Sequence, residues 1–122
     1  MFKVECDASY YAIGAALSQE QPDHKWRPIA FISHALSSAQ RNYHTYDKEF
    51  LSIIFALEEW RQYLQGASKQ FQMWTDHCNL TYFHKPQDLN RRQADWVSKL
   101  QEYDFKLHHR PGHLHGKANF LF

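Results

Sequence analysis

Three acidic side chains have the types and the spacing needed to hold divalent cations. Asp7 closes the alternating stretch FKVECD, Asp76 closes the stretch FQMWTD, and Glu49 lies on the apolar face of a helical pattern. Hard oxygen ligands in this number favour Mg²⁺ or Mn²⁺. Two such ions about 4 Å apart can hold the attacking water and the leaving oxygen of a phosphodiester. The chemistry that suits these residues is therefore hydrolysis of a nucleic-acid backbone.

Each acid taken alone also has a simpler interpretation. An acid at the end of a strand is commonly a turn or cap residue, and a single glutamate in a helix is commonly solvated. Ionised carboxylates that are buried together without a basic partner repel one another, which is costly, and divalent cations remove that cost. The metal-site hypothesis thus depends on a fold that brings the three acids together.

The first third of the chain is predicted to form three strands joined by short turns. Apolar and polar residues alternate in FKVECD, a second apolar run follows in AIGAALS, and a third in PIAFIS. The first and third strands of such an antiparallel meander point the same way. A fourth strand at 71–76, reached through a long helix, should then run parallel to the first. Since neighbouring strands lie about 4.8 Å apart, Asp7 and Asp76 are expected at the same end of the sheet.

Three helices are expected to accompany these strands, one of them a short helix in the stretch HCNLTYFHK that ends before Pro86. Apolar residues recur every three or four positions across 39–65, after a capping-box pattern that begins at Ser37, and Gly66 provides a stop. Glu49 shares the face of this helix that packs on the sheet. A further helix begins at Asn90, and the stretch DFKLHHR forms a fifth strand.

The bulk composition is that of an ordinary globular domain. A length of 122 residues with 43% hydrophobic and 16% aromatic content is enough for one core, so residues 1–122 are expected to form a single domain. The net charge of +1 means that any contact with nucleic acid must come from a local patch. No apolar stretch approaches the roughly 20 residues of a membrane span, and no signal peptide is expected.

Cysteine, histidine and tryptophan are assigned to structure rather than to chemistry. Cys6 and Cys78 are too few for a disulfide scaffold and are expected to be buried thiols in a reducing compartment, with a single bridge as the alternative. The histidines lack the spacing of a structural zinc site. Three tryptophans are expected in the core or at its margins: Trp60, Trp74 and Trp96.

Both ends of the chain enter structured patterns abruptly. A strand pattern begins at Phe2, and the chain stops at Phe122 in an apolar stretch. These features predict a segment of a longer polyprotein, truncated at its C-terminal end.

Five stretches in a defined order carry a resemblance to a known family. They are ECDASYYAIGAALSQ, RPIAFISHALSSAQRNYHTYDKEFLSIIFALEEWRQYL, MWTDHCNL, NRRQADWVSKLQEYDFKLHHRPG and KANFL. Together they resemble the ribonuclease H domain of gypsy-class long-terminal-repeat retrotransposon reverse transcriptases, which are parts of pol polyproteins. The resemblance covers essentially the whole chain.

The resemblance implies a fold, an activity and partners. The fold is an α/β ribonuclease H-like fold, a five-stranded mixed sheet of order 3-2-1-4-5 with helices on both faces. The activity is endonucleolytic cleavage of the RNA strand of RNA/DNA hybrids by a two-metal mechanism with Mg²⁺, for which Mn²⁺ can substitute. The partners are the hybrid and the polymerase or connection domain of the parent enzyme, in a cytoplasmic retrotransposon particle or in the nucleus.

In this family four carboxylates hold the metal ions. Asp7, Glu49 and Asp76 match the first three, but Asn119 stands where the last aspartate is expected. An amide oxygen can still coordinate Mg²⁺ but brings no charge, so the second metal should bind more weakly. Asn119 could be drift in a dead element, an inactivating change, or a tolerated variant that needs more metal. The alternative function is accordingly a silent or attenuated module that binds hybrid or supports the polymerase.

Contacts with the substrate are expected on both sides of these acids. Ser9 and the backbone of residues 8–10 are placed for the RNA strand, and a basic pair that begins a helix is placed for phosphates of the DNA strand. Two histidines near the C-terminus are candidates for an auxiliary role, against the alternative of solvated loop residues. The basic pair is Arg91 and Arg92, and Asn79 is a further candidate for contact with the substrate. The two histidines are His113 and His115.

Overall fold

The computed structural model describes residues 1–66, 69–75 and 90–109, with only the backbone described at Thr45, Tyr46 and His109. Its elements are β1 (Phe2–Ala8), β2 (Ala12–Glu20), β3 (Trp26–Ala35), α1 (Ser38–Arg41), α2 (Thr45–Glu59), α3 (Arg61–Leu64), β4 (Phe71–Thr75), α4 (Arg91–Leu100) and β5 (Phe105–His109).

The strands form one five-stranded mixed sheet of order β3-β2-β1-β4-β5. The pairs β1–β2 and β2–β3 are antiparallel, whereas β1–β4 and β4–β5 are parallel. The meander and the parallel return predicted from the sequence patterns, and the strand order implied by the resemblance, are therefore confirmed. In the central parallel pair Val4 lies beside Met73 and Cys6 beside Thr75.

One face of the sheet packs against α2, and α4 packs on α2 in turn. Alternate residues of β1 and β2 point into this layer and meet the apolar stripe of α2, because side chains alternate along a strand and recur every three or four residues along a helix. The cluster includes Val4, Cys6, Ala15, Leu17, Phe50, Ile53, Leu57 and Trp60. The described contacts between helix and sheet place α2 on this first face. A helix on the opposite face of the sheet stays a prediction.

The tryptophans lie where the sequence predicts them. Trp60 and Trp96 are buried, and the Trp96 ring stacks on Phe50 with 5.4 Å between the ring centroids. Trp74 is half-buried and stacks on His108 at 4.3 Å. Cys6 is a buried free thiol, as expected, whereas Cys78 lies outside the described residues.

The prediction of one continuous helix over 39–65 is wrong. The segment divides into α1, α2 and α3, with a break at residues 42–44 and another at Trp60, whose φ of −108° and ψ of 27° leave the helical range. Asparagine, tyrosine and histidine are weak helix formers, so the first break coincides with low local propensity. The capping box at Ser37 is present, and Gly66 adopts a left-handed φ of 77° just after the last helical residue of this region.

In the described parts of the chain no helix has the length and apolarity needed to cross a membrane.

Candidate active site

Asp7 lies near the end of β1, at the centre of the sheet. It pairs with Gly14 of β2, and its neighbour Cys6 pairs with Thr75, the last residue of β4. The Asp7 side chain is buried, and its Oδ1 accepts a hydrogen bond from the backbone N–H of Ala8 at 2.9 Å. The central position of β1 thus holds this carboxylate rigidly beside the parallel neighbour.

Glu49 lies early in α2 and is only 3% exposed. Its position beside β1 is visible in the electrostatics of Cys6. The pKa of the Cys6 thiol is raised well above its ordinary value, chiefly by burial and then by the negative charges of Glu49, Asp7 and Glu5. Both predicted acids therefore act on the same buried atom, and the structure brings them to the same end of the sheet.

Other predicted site residues lie outside the described residues. These are Asp76, Asn79, His113, His115 and Asn119. Within the described ranges 1–66, 69–75 and 90–109, no group of three His, Cys, Asp or Glu residues is arranged to hold a metal. The described half of the proposed ligand set consists of two buried carboxylates, Asp7 and Glu49, and this oxygen donor chemistry fits a hard divalent cation.

The turn between β1 and β2 is closed by Ser9. Its Oγ accepts hydrogen bonds from the N–H groups of Ala12 at 3.1 Å and Tyr11 at 3.3 Å, and its own N–H donates to the carbonyl of Ala12 at 2.8 Å. The Ser9 hydroxyl therefore shapes the backbone next to Asp7. Any contact that the sequence predicts between Ser9 and substrate would be made by a hydroxyl already engaged in this turn.

An aromatic pair at this turn was missed by the sequence reasoning. Tyr10 and Tyr11 are 58% and 66% exposed, and their rings meet edge to face at 4.8 Å. The Nζ atom of Lys48, which precedes Glu49 on α2, lies 4.5 Å from the centre of the Tyr10 ring. The signal in the sequence was two adjacent large aromatics in a turn directly after the first acid, since contiguous exposed apolar surface is a mark of contact surfaces.

The basic pair that begins α4 divides between two environments. Arg91 is exposed at the start of the helix, whereas Arg92 is half-buried. The Nη2 atom of Arg92 donates to Oδ2 of Asp47 at 2.9 Å, and the guanidinium lies 4.0 Å from the centre of the Tyr43 ring. Arg92 thus has an internal partner, whereas Arg91 faces solvent.

An open groove of about 700 Å³ runs along the outer face of α4. Arg91 and Arg92 lie at one end and Lys99 at the other, with Asp95 as the acidic residue between them. Lys99 also pairs with Glu58 of α2 at 2.7 Å. Two of the three cations, Arg92 and Lys99, are thus engaged in ion pairs, so Arg91 is the residue of the groove best placed to contact the phosphates of a nucleic-acid backbone.

Asp47 is a second residue that the sequence reasoning missed. It is 2% exposed and accepts hydrogen bonds from Arg92 and from Nε2 of Gln93 at 2.8 Å. Helical spacing places it in line with Phe50 and Ile54, both buried. An acid on an apolar stripe requires a buried partner, and this pattern was the available signal.

Comparison with solved structures identifies the class of fold. The chain superimposes on a foamy viral protease-reverse transcriptase in complex with dsDNA with a TM-score of 0.72 and 15% identity, over 91% of this chain and 23% of that one. It superimposes on LC11-RNase H1 in complex with RNA/DNA hybrid with a TM-score of 0.70 and 13% identity, over 99% of this chain and 93% of that one. The chain therefore has a ribonuclease H fold.

Sequence comparison then gives the family. The profile of the RNase H-like domain found in reverse transcriptase matches residues 1–103, and the chain belongs to this family. It is 40% identical over 120 residues to the transposon Tf2-3 polyprotein of Schizosaccharomyces pombe, and equally to the Tf2-4 polyprotein. These alignments cover 97% of this chain and 9% of each polyprotein, so the chain spans about a tenth of the length of these relatives.

Proposed function

We propose that this domain is the ribonuclease H of a gypsy-class retrotransposon and cleaves the RNA strand of RNA/DNA hybrids. The observation that carries the proposal is the placement of two buried carboxylates, Asp7 and Glu49, around the same end of the central strand in a chain of this family. Buried acids of like charge repel one another and a divalent cation offsets that repulsion, so their placement near one end of β1 suits a metal site.

The chain's own residues would hold and orient the reacting groups. Asp7 and Glu49, together with Asp76 and Asn119, are the proposed ligands of two Mg²⁺ ions, with Mn²⁺ as a substitute. When bound, these ions would supply an activated water and neutralise charge on the phosphodiester. Asp7 is rigid because β1 is paired on both sides, and Glu49 is rigid because α2 packs on the sheet. Such fixed geometry is what an in-line displacement requires.

Hybrid would lie across the turn after Asp7 and the face of α4. The exposed rings of Tyr10 and Tyr11 would contact the RNA strand, where hydroxyl groups can reach the 2′-OH. Arg91 would contact a phosphate of the DNA strand, and Arg92 would contribute only through the part of its guanidinium not directed at Asp47. Solved neighbours of the same fold include a foamy viral protease-reverse transcriptase in complex with RNA/DNA hybrid, with a TM-score of 0.68.

The setting would be a larger polyprotein. The curated relatives are retrotransposon polyproteins of which this chain spans 9%. The domain would therefore act beside a polymerase domain that holds the same hybrid. The proposed location is a cytoplasmic retrotransposon particle, with the nucleus as the alternative. That residues 1–122 form a single domain of such a polyprotein belongs to the same proposal.

A silent module is the second candidate, and Asn119 favours it. Because an amide brings no charge, four negative ligands become three, and the affinity for the second ion falls. In this alternative the chain binds hybrid or supports the polymerase without cutting.

The central test is cleavage of a labelled hybrid in Mg²⁺ and in Mn²⁺ by the parent protein, Glu49→Gln and Asn119→Asp. We expect Glu49→Gln to lower the cleavage rate by at least about 100-fold, because it removes a metal-binding charge while keeping the side-chain shape. Glu58→Gln is the matched control, since Glu58 is an exposed glutamate of the same helix.

The outcomes separate the two candidates. Cutting that survives Glu49→Gln at the parental rate would remove the proposed site. An inert parent together with an active Asn119→Asp variant would favour the silent module in this chain.

Hybrid binding is tested separately through its salt dependence. Arg91→Ala should weaken binding and reduce the slope of log affinity against log salt by about 1, as expected for the loss of one phosphate contact. Lys106→Ala, which removes an exposed cation of β5 outside the α4 groove, is the control. An unchanged slope in Arg91→Ala would exclude this contact.

A further inference from the structure

The carboxylate of Asp47 joins the beginning of α2 to the beginning of α4. Its Oδ2 accepts a hydrogen bond from Nη2 of Arg92 at 2.9 Å, and its Oδ1 accepts one from Nε2 of Gln93 at 2.8 Å. Both oxygens are thus engaged by adjacent residues of one helix. At 2% exposure, Asp47 is removed from solvent that could compete for these bonds.

The two donors are themselves held in place. The Arg92 guanidinium lies 4.0 Å from the centre of the Tyr43 ring and 5.6 Å from that of Trp96. Gln93 forms a capping box with Asn90, in which the Asn90 side chain accepts from the N–H of Gln93 at 2.8 Å and the Gln93 side chain accepts from the N–H of Asn90 at 3.1 Å. Asp47 is therefore bound to a rigid part of α4.

We call the hydrogen-bonded set of Asp47, Arg92 and Gln93 the anchor. Helical geometry connects this anchor to Glu49. Two residues along an α-helix correspond to about 3 Å of rise and roughly 200° of rotation, so Asp47 faces α4 while Glu49 faces away from it. A rotation of α2 by about 10° would move a group at a radius of about 6 Å by about 1 Å. Displacements of that size are enough to disturb a reaction that requires aligned groups.

We propose that Asp47 is a positioning residue that sets the rotation of α2 and thereby places the Glu49 carboxylate relative to Asp7. This inference rests on the proposed function for the role of Glu49. It also assigns to Arg92 a role in the anchor, so the end of α2 proposed to bind metal and the helix α4 are joined by an ion pair between a buried carboxylate and a half-buried guanidinium.

The test compares Asp47→Asn with Glu58→Gln in the full chain. Both changes remove a charge that joins α2 to α4, but the Glu58 pair with Lys99 is exposed and lies at the other end of α2. Cleavage of hybrid is measured for kcat, KM and the Mg²⁺ concentration of half-maximal rate. Backbone amide exchange of residues 48–52 and the thermal midpoint are measured on the same proteins.

We expect Asp47→Asn to lower kcat about tenfold and to raise the half-maximal Mg²⁺ concentration by a similar factor, as is usual for residues that orient metal ligands. KM should change by less than about twofold, because α4 still presents Arg91. Amides 48–52 should exchange faster in Asp47→Asn, and Glu58→Gln should match the parent in every readout. In Asp47→Asn/Arg92→Gln the loss of kcat should not exceed that of the worse single variant, since both remove the same anchor.

Parental kcat and Mg²⁺ dependence in Asp47→Asn would overturn the proposal, as would amide exchange at 48–52 equal to that of the parent. A fall in kcat equal to that of Leu57→Ala, a buried change on α2 about two turns beyond Glu49, at a matched loss of thermal midpoint would also overturn it, because Asp47 would then act only through general stability. If the parent does not cleave hybrid, the proposed function fails while amide exchange still decides whether Asp47 holds this turn.

Discussion

Cys6 reports the electrostatic character of the site at the scale of a single residue. Its thiol is fully buried, and its pKa is raised by burial and by the charges of Glu49, Asp7 and Glu5. The Sγ atom lies 3.6 Å from the sulfur of Met73, which places it among apolar partners on the core side of β1. Cys6, whose ionisation is suppressed, is therefore the direct neighbour in the strand of Asp7, whose carboxylate is proposed to bind metal.

Cys6 should resist alkylation in the folded protein. In a Cys78→Ser background at pH 8, we expect the thiol to react at least about 100-fold more slowly in native protein than in urea-unfolded protein, because burial and a raised pKa both suppress the thiolate. Mass spectrometry of iodoacetamide-treated protein measures the two rates. Equal rates would contradict the buried placement.

The same raised pKa predicts a loss of stability at alkaline pH. At pH 7, well below the ordinary thiol pKa of about 8.5, the thiol is protonated in both folded and unfolded chains, so Cys6 adds almost no pH dependence there. As pH rises further, the unfolded chain ionises first and the free energy of unfolding falls until the folded-state pKa is reached. Urea unfolding of the Cys78→Ser protein at pH 7 and pH 9.5 should show this decline, and Cys6→Ala in the same background should show a smaller one.

At the scale of elements, α2 and α4 are held by contacts of different kinds. Phe50 stacks on Trp96 in the apolar layer, Asp47 pairs with Arg92 at one end, and Glu58 pairs with Lys99 near the other. The exposed pair of Glu58 and Lys99 is expected to contribute at most about 1 kcal/mol to the free energy of unfolding. The relative placement of the helices therefore depends on the buried contacts.

Asn90 should contribute more to the stability of the fold than an ordinary surface asparagine does. Asn90→Ala is expected to lower the free energy of unfolding by about 1 kcal/mol, because it removes the side-chain cap of a ten-residue helix and half of a capping box. Ser37→Ala, which removes the equivalent cap of the four-residue α1 with no buried residues, should cost less. Urea denaturation measures both, and an equal or smaller cost for Asn90→Ala would contradict the comparison.

At the scale of the whole molecule, stability is concentrated between the sheet and α2. Phe50 is 1% exposed within this layer, whereas Phe31 on the edge strand β3 is 52% exposed. Phe50→Ala should lower the free energy of unfolding by about 3 to 5 kcal/mol, and Phe31→Ala by no more than about 1 kcal/mol. Chemical denaturation of the two variants measures the difference. Similar losses would contradict the assigned position of the core.

The architecture could be predicted from the sequence because its signals are local. Alternation marked the strands, a capping-box pattern at Ser37 and a cap residue at Asn90 marked helix starts, and the long helical crossover indicated that β4 runs parallel to β1. The breaks within 39–65 were not predicted, because the apolar period continues across them while the backbone leaves the helix at 42–44 and at Trp60. Periodicity reports which face is buried and is insensitive to a short interruption.

The sequence patterns by themselves determined the strand meander, the placement of Asp7 at a strand end and the inward face of Glu49, since each follows from a period of two or 3.6 residues. The fold class came from the resemblance carried by the five motifs. Only the tertiary structure decided that Arg92 pairs with Asp47, 45 residues earlier, and that Lys48 lies over Tyr10. The physical reason is that such contacts depend on the rotation and separation of whole elements. Those quantities are set by packing across the core and leave no regular spacing in the chain.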